Sequence, residues 1–326
     1  MIYIESRSTN PYYNLALEEF IFERMDQRQN YFFLWQNDNT IVVGRFQNTA
    51  EEINQESVNA HGILVVRRLS GGGAVYHDRG NLNFTFITDQ RRHAGLNFRV
   101  FTRPILLTLE KFGVHAEFSG RNDLMLDGRK FSGNSQYVSH GRVLHHGCIM
   151  LDSNLDRVRD ALRVRDAKFT SKSVKSVRSH ITTINEHSPR PITMEEFRDA
   201  LKQQVFAENN ITEYVLTEAD REAVLTLMHD KYETWDWNYG VTRAYSIRRE
   251  QKFDCGLVTL DMDVEHGTIS EIRISGDFFG NSDLRQLERN LKGVTLDRDL
   301  PQKLKDLGIE NYIHGVSAAD MALLFY

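Results

Sequence analysis

The sequence predicts an α+β fold, in which a large domain with mixed, mainly antiparallel sheets and flanking helices precedes a small α+β domain. Two observations support this prediction. Strand-like segments lie next to one another, above all within residues 123–151, instead of alternating with single helices. A second group of alternating strands begins after residue 250, and we place the boundary between domains of residues 1–245 and 250–326.

The first part of the chain combines short apolar strands with amphipathic helices. Asn10 and Pro11 predict the start of the first helix, because Asn caps helices and Pro suits their first turn. The apolar spacing of this helix predicts one buried stripe, with Glu18 and Glu19 on the solvated face. We predict strands at 2–4, 31–35, 40–45, 63–68, 75–76 and 81–87, and helices at 50–61 and 101–112.

The middle of the chain has the pattern of a meander. Asp127-Gly128 is a strong hairpin signal between strands predicted at 124–126 and 131–138, and a third strand follows at 143–151. Later helices are predicted at 194–208 and 219–233. For the small domain we predict strands at 258–264 and 269–274 and helical stretches around 283–292, 297–307 and 317–325.

Composition excludes several classes of protein. The chain has 326 residues, a formal net charge of −5 and 40% hydrophobic residues, which argues against a protein whose main task is to bind nucleic acid. No apolar run reaches the roughly 18 residues of a membrane span, and the N-terminus lacks the pattern of a signal peptide. Two cysteines are too few for a disulfide framework or a zinc cluster. We expect a cytoplasmic monomer that binds neither nucleic acid nor membrane.

The most informative segment is residues 67–78, Arg-Arg-Leu-Ser-Gly-Gly-Gly-Ala-Val-Tyr-His-Asp. Glycines let the backbone approach a ligand closely and turn their N–H groups toward an anion, while Arg67 and Arg68 offer permanent charge. A hairpin turn is the alternative interpretation. The segment has no Walker spacing, and Tyr76 occupies the place of the third glycine of a dinucleotide fingerprint.

Further candidate residues follow the glycines. Lys130 precedes the small polar residues Ser132 and Gly133 in a predicted strand, and small residues beside a lysine suggest that a ligand approaches there. Asp123 is a candidate partner for a metal or hydroxyl group. His146 stands in an apolar strand, where a histidine is more often a core residue than a ligand.

Two other features of the sequence are less specific. Cys148 follows a glycine within an apolar strand, which favours a buried thiol over a nucleophile. Residues 157–178 are rich in Lys and Arg and have little apolar periodicity, as in a surface loop that attracts anions or in a merely solvated stretch of charge.

Taken together, these motifs resemble the lipoate–protein ligase family. The resemblance rests on residues 67–78, Gly80-Asn81, Ser-Gly-Arg-Asn-Asp at 119–123, Arg-Lys-Phe-Ser-Gly at 129–133, His-His-Gly at 145–147 and Ser-Val-Arg-Ser at 176–179. Phe-Leu-Trp at 33–35, Val-Gly-Arg at 43–45, Gln47-Asn48 and Trp-Asp-Trp-Asn at 235–238 also match. The resemblance covers nearly the whole chain and implies a biotin/lipoate ligase-like fold related to class II synthetase cores, with a C-terminal accessory domain.

The resemblance also implies an activity. Such ligases activate lipoate with ATP and Mg²⁺ to lipoyl-AMP. They then transfer the lipoyl group to a lysine of lipoyl domains, in the acyltransferase subunits of 2-oxoacid dehydrogenase complexes or in the glycine-cleavage H protein. Lys130 matches the catalytic lysine, and Asp123 lies near the magnesium that the phosphates hold.

The remaining site residues follow from the same matching. ATP binding is implied for Arg68, Gly73, Ala74, Val75, Tyr76, Asn81, Asp123 and Lys130. Lipoate binding is implied for Arg67, Ser70, Gly71, Gly72, His77, Ser132, Gly133 and His146. The adenylate-binding loop is implied to include Lys175, Ser176, Val177 and Arg178. At 179–183 this chain reads Ser-His-Ile-Thr-Thr, where family members commonly have Ser-Arg-Val-Thr-Asn.

Two alternative functions remain open at this point. An octanoyl or lipoyl transferase of the same fold would carry the acyl group on a cysteine, for which Cys148 is the candidate. Residues 252–326 count against it, because such transferases generally lack this domain. A non-catalytic lipoate- or nucleotide-binding protein is the other alternative, and the intact Lys130 and glycine segment argue against it.

Overall fold

The computed structural model describes residues 1–90, 97–120, 122–162, 180–240, 245–280, 282–297 and 299–325. The residues that we assign to the adenylate-binding loop, Lys175, Ser176, Val177 and Arg178, lie outside these ranges. In chain order the strands are β1 (Ile2–Glu5), β2 (Tyr31–Trp35), β3 (Thr40–Val43), β4 (Leu64–Arg67), β5 (Val75–His77), β6 (Asn81–Asp89), β7 (Glu117–Ser119), β8 (Asp123–Leu126), β9 (Arg129–Ser139), β10 (Arg142–Met150), β11 (Thr212–Glu213), β12 (Ile247–Phe253), β13 (Gly256–Glu265) and β14 (Thr268–Gly276). The helices are α1 (Pro11–Glu23), α2 (Thr49–Glu52), α3 (Gln55–His61), α4 (Phe98–Lys111), α5 (Leu155–Ala161), α6 (Met194–Glu208), α7 (Glu218–Leu227), α8 (Trp235–Asn238), α9 (Leu284–Leu291), α10 (Leu300–Asp306), α11 (Ile309–Tyr312) and α12 (Ala318–Leu324).

The large sheet has the strand order β11-β1-β2-β6-β10-β9-β8-β7. β1 pairs in parallel with β2 and β11, and the other neighbours are antiparallel, so the sheet is mixed and mainly antiparallel as predicted. One of its faces packs against α4 and α6, and the other packs against α1 and the α7 region. The α+β prediction is confirmed.

A smaller sheet, in the order β4-β3-β5, lies on the α1 side of the large sheet. Val42 and Val66 of this sheet belong to the same apolar cluster as Phe33 and Leu144 of the large sheet. The glycine segment, residues 68–74, connects β4 to β5, and contacts of Ser70 with His146 and of Gly71 with Ser135 place it against the large sheet.

The C-terminal region folds around its own core. β12, β13 and β14 form an antiparallel sheet whose apolar face is covered by α9, α10 and α12. Phe46, from the connection after β3, also belongs to this core. The C-terminal domain is therefore packed directly onto the region that precedes the glycine segment.

Three differences from the predicted elements concern the helix at 50–61, strand β12 and Glu18. The helix predicted at 50–61 is interrupted, because Ile53 is extended and Asn54 caps the following helix α3. Strand β12 falls where we predicted the domain boundary, and its mostly exposed polar residues hide its strand character. Glu18 is buried, so its predicted place on a solvated helix face is wrong.

Among the described residues, no helix combines the length and apolar composition that crossing a bilayer requires.

Candidate active site

A cavity of about 130 Å³ lies between the two sheets of the N-terminal domain. Its floor is the face of the large sheet that carries Trp35, His146 and Cys148, and its roof is the glycine segment. The residues that line it are Leu15, Trp35, Val42, Arg68, Gly72, Gly73, Ala74, Val75, His77, Asn83, Asn122, Lys130, Gly133, Asn134, Ser135, His146, Gly147 and Cys148. The cavity therefore combines apolar walls with two cationic side chains.

Lys130 lies across Gly133, at the polar end of β9. A side chain at residue 133 would place its Cβ 2.9 Å from Lys130 Nζ, so the glycine provides the room that the lysine occupies. The ammonium group lies 2.8 Å from Asp123 Oδ1 and remains about one-third exposed. The backbone of Lys130 is held on both sides, because its N–H donates to the carbonyl of His180 and its carbonyl accepts from Thr182.

Arg68 holds the glycine segment in its conformation. Its Nη2 group donates to the carbonyl oxygens of Gly71 and Gly73, at 2.7 and 2.8 Å. Gly72 between them has a φ of 90°, which favours glycine. Burial lowers the pKa of Arg68 to about 10, which leaves the guanidinium charged at neutral pH. The cavity roof is thus shaped around a buried positive charge.

A chain of hydrogen bonds connects this arginine to the buried carboxylate of Glu18. Arg68 Nε donates to Ser70 Oγ at 3.1 Å, and Ser70 lies 2.5 Å from Nε2 of His146. His146 Nδ1 lies 2.9 Å from Glu18 Oε1, which Thr85 also approaches at 2.6 Å. In this arrangement the N–H of His146 Nδ1 can donate to Glu18, and the Ser70 hydroxyl, whose oxygen accepts from Arg68, can donate to His146 Nε2.

The apolar part of the cavity is bounded by Trp35, Leu15 and Val42. Trp35 is fixed by a hydrogen bond from its indole N–H to Thr85, at 3.0 Å. His77 adds a buried imidazole, whose pKa burial lowers to about 3, so it is neutral in the physiological range. Its Nε2 has no hydrogen-bond partner among the described residues, and it is therefore available to a ligand in the cavity.

Comparison with known proteins identifies the family. The model of the lipoyl protein ligase A/B catalytic domain matches residues 10–206, and that of the bacterial lipoate protein ligase C-terminus matches residues 242–325. Lipoate-protein ligase LplJ of Bacillus subtilis is 41% identical over 331 residues, with 100% of both chains covered. Lipoate–protein ligase 1 of Staphylococcus aureus is 42% identical, with 97% of both chains covered. The chain belongs to the lipoate–protein ligase family.

Solved structures of similar ligases support the same assignment. P. falciparum LipL1, in complex with lipoate, is 26% identical with a TM-score of 0.75 and covers 96% of this chain and 95% of its own. A bipartite lipoate protein ligase of Thermoplasma acidophilum, described together with its E2 lipoyl domain, is 26% identical with a TM-score of 0.64; the match covers 76% of this chain and 98% of that one. A lipoate-protein ligase A bound with ATP shares the fold at 23% identity and a TM-score of 0.62.

The structure brings together most of the residues that the resemblance implies for the ligase. Arg68, Gly73, Ala74, Val75 and Lys130 of the predicted ATP set line the cavity, as do Gly72, His77, Gly133 and His146 of the predicted lipoate set. Ser70 is outside the cavity lining and contacts His146, which is part of the lining. Asp123 contacts it through Lys130.

Other predicted residues lie farther from the cavity surface. The Tyr76 hydroxyl donates to Asn39, on the far side of the small sheet, and Asn81 reaches the cavity only through Asn83. Ser132 is fully buried and lies outside the lining, as does Gly71, which packs against the C-terminal domain.

Arg67 has a structural position in this ligase. Its guanidinium is buried and donates to a set of backbone and side-chain oxygens, namely those of Gly44, Arg45, Gln47, Thr49, Trp237 and Asn238. Successive residues of a strand point to opposite sides, so Arg67 and Arg68 cannot both face the cavity. Arg67 is not among the residues that line the cavity, and its contact with lipoate stays a prediction.

Sequence reasoning missed three groups at the site. Glu18 belongs to no recognisable sequence motif, and it becomes buried only when the large sheet packs against α1. Trp35 and Asn83 lie on two neighbouring strands, and only their pairing places both at the cavity. Cys148 is half-buried and lines the cavity, whereas its apolar strand favoured a buried thiol.

Proposed function

We propose that this ligase uses ATP to convert lipoate to lipoyl-AMP in the cavity, and then transfers the lipoyl group to a lysine of a lipoyl domain. The observation that carries the proposal is the position of two cations, Lys130 and Arg68, in the wall of one largely apolar cavity. Such a cavity suits a ligand with a long apolar body and an anionic end.

The chemistry explains why the cations are needed. One carboxylate oxygen of lipoate attacks the α-phosphorus of ATP, the bond from that phosphorus to the bridging oxygen breaks, and pyrophosphate leaves. Two unit charges about 4 Å apart repel by roughly 4 kcal/mol at an effective dielectric of 20. Lys130, placed between carboxylate and phosphate, offsets this repulsion and stabilises the charge that develops during transfer.

The shape of the cavity suggests how lipoate lies in it. The carboxylate is directed toward Lys130, and the aliphatic chain lies along Trp35, Leu15 and Val42. The backbone of Gly73 and Ala74 faces the reacting groups, with nothing within 4 Å of the position where a side chain at residue 73 would begin. Holding the two reactants in line supplies a large share of the rate.

Asp123 is our candidate for contact with magnesium. Within the described ranges, no group of three or more His, Cys, Asp or Glu side chains is arranged to hold a metal ion. This fits Mg²⁺, which commonly binds through one or two carboxylates together with phosphates and waters. When bound, the ion would neutralise phosphate charge, while Asp123 holds Lys130 in place through their contact.

For the second step we propose lipoyl-domain acceptors, in 2-oxoacid dehydrogenase acyltransferase subunits or in the glycine-cleavage H protein. The acceptor's lysine amine attacks the carbonyl carbon of lipoyl-AMP, the acyl–phosphate bond breaks, and AMP leaves as the amide forms. The solved archaeal ligase described with its E2 lipoyl domain supports this class of partner.

Lipoate-dependent exchange between ATP and pyrophosphate tests the first step, and lipoyl transfer to an isolated lipoyl domain tests the second. We expect Lys130→Ala to abolish exchange with the fold intact, because the lysine is one-third exposed. Lys111→Ala, which removes an exposed lysine from α4, is the matched control and should exchange as the wild type does. Exchange by Lys130→Ala at the wild-type rate would reject the lysine as the catalytic cation.

A further inference from the structure

We propose that the C-terminal domain supplies a positioning element to the lipoate-activation site. This element is the aromatic turn, residues 277–280, which contains Phe278 and Phe279. It holds the glycine loop, residues 70–74, in the conformation that forms the cavity roof. The effect on activation rests on the proposed function of the cavity, while the contact itself can be tested without any substrate.

The aromatic turn and the glycine loop touch through their backbones. The N–H of Gly72 donates to the carbonyl oxygen of Phe278, at 3.3 Å. Gly71 has no room for a side chain, because a Cβ there would overlap that same carbonyl and lie 3.2 Å from the Cα of Phe279. The ring of Phe279 also lies within 3.5 Å of the position that a Cβ of Gly72 would occupy. The loop and the turn therefore fit each other only with a glycine at residue 71.

The aromatic turn is itself held from both sides. The ring of Phe278 stacks on Phe46 at 5.1 Å between centroids, and the N–H of Gly276 donates to the carbonyl of Phe46. On the side of the C-terminal domain, the N–H of His314 donates to the carbonyl of Phe279 at 2.9 Å. Both aromatic side chains are almost fully buried. A turn fixed in this way can impose its position on the loop that it contacts.

The contact extends from the loop to the cavity wall. The carbonyl of Gly71 accepts hydrogen bonds from Arg68 Nη2 and from Ser135 Oγ, at 2.7 and 2.8 Å. Arg68 and Ser135 both line the cavity. A displacement of Gly71 and Gly72 would therefore move a cation and a hydroxyl group of the site. The C-terminal domain acts on the site through this path without touching the cavity itself.

A second contact between the domains lies away from the aromatic turn. Arg248 of β12 donates to the carboxylate of Glu51 in α2, with 2.6 Å between Nη2 and Oε2. Neither residue is among those that line the cavity. Arg248→Ala weakens docking without changing the aromatic turn, so it is the control that separates positioning from general attachment.

The test uses the full-length protein and the variants Phe279→Leu and Gly71→Ala. Hydrogen exchange is followed in the peptide covering residues 69–76, with residues 31–35 of the large sheet as the internal reference. We expect exchange at 69–76 to be at least about tenfold faster in both variants, because the contact that protects the Gly72 N–H is weakened. We expect kcat/KM for lipoate-dependent ATP–pyrophosphate exchange to fall roughly 10- to 100-fold, as for a misplaced catalytic group.

The outcomes separate the proposals. Unchanged exchange at 69–76 in Phe279→Leu overturns the contact, and so does equal acceleration in Arg248→Ala. Faster exchange with unchanged kcat/KM overturns the positioning role. If Gly71→Ala fails to fold, Phe279→Leu decides. If the wild-type protein shows no lipoate activation, the proposed function fails, and the hydrogen-exchange comparison still decides whether the turn holds the loop.

Discussion

Replacement of Glu18 by Gln should both destabilise the protein and slow lipoate activation. Glu18 is the anionic end of a hydrogen-bonded chain that passes through His146 and Ser70 to Arg68. Gln has nearly the same shape as Glu but presents one donor group where the carboxylate has only acceptors. The substitution therefore changes the charge and one hydrogen bond while leaving the packing of α1 nearly unchanged.

The magnitude follows from the contacts that are lost. With its amide oxygen at the Oε1 position, Gln can still accept from Thr85 and lie 2.9 Å from His146 Nδ1. Its NH₂ group then takes the Oε2 position, 3.1 Å from the same ring nitrogen, so the second contact of the carboxylate with His146 is lost. A hydrogen bond to a charged group contributes about 1.5–3 kcal/mol. We expect a loss of about 2 kcal/mol, or roughly 4–8 °C in Tm for a domain of this size.

Urea unfolding and ATP–pyrophosphate exchange measure the two effects. The midpoint should fall in Glu18→Gln with the denaturant slope unchanged, because stability changes without a change in compactness. We also expect about a tenfold loss in kcat/KM, since Arg68 shapes the cavity roof. Glu23→Gln is the matched control, because Glu23 lies on the same helix, is one-third exposed and lies 3.7 Å from the exposed His140. If Glu18→Gln unfolded at the wild-type urea midpoint, the hydrogen-bonded chain from Glu18 to Arg68 would not stabilise the protein and the reasoning would be refuted.

Three further predictions concern groups at or near the cavity. Cys148→Ser should retain both activation and transfer, whereas loss of all transfer without ATP–pyrophosphate exchange would favour the cysteine-dependent transferase. Arg67→Lys should lower the free energy of unfolding by about 3 kcal/mol, because a lysine cannot replace the many hydrogen bonds of the arginine. The KM for lipoate should not change. A raised KM with unchanged stability would instead support contact between Arg67 and the ligand. Burial lowers the pKa of His77 to about 3, so the unfolded chain binds a proton below about pH 6.5 while the folded protein does not. The folded protein therefore has its full stability above that pH and should lose about 2 kcal/mol of its free energy of unfolding on acidification to pH 5. In urea titrations, His77→Gln should not show this loss.

Local signals in the sequence predicted many of the elements. The bounds of α6 agree with the prediction because a capping box of Thr193 and Glu196 marks its start. The strand Tyr31–Trp35 is apolar throughout and buried on both faces, so its pattern is unambiguous. These elements depend on neighbouring residues alone, and local propensity is sufficient to predict them.

Features that depend on packing could not be predicted in the same way. Helix α1 is buried on more than one side. Apolar periodicity predicts only one buried stripe, so it assigns Glu18, which lies outside that stripe, to solvent. Arg67 and Arg68 are chemically identical, and the choice of which one faces the cavity depends on the pairing of β4 with β3. Strand β12 is polar and mostly exposed, so only its partner β13 identifies it as a strand.

The glycine triplet shows how one repeated residue can satisfy three different constraints. Gly71 is required because the backbone of the C-terminal domain occupies the space of a side chain, and Gly72 because its φ is positive. Gly73 meets neither constraint: it has ordinary backbone geometry and open space where a Cβ would project, and it lines the cavity. Gly72 and Gly73 both line the cavity, and the first glycine connects the site to the C-terminal domain. A motif that indicates a binding loop in the sequence is, in the structure, also a domain contact.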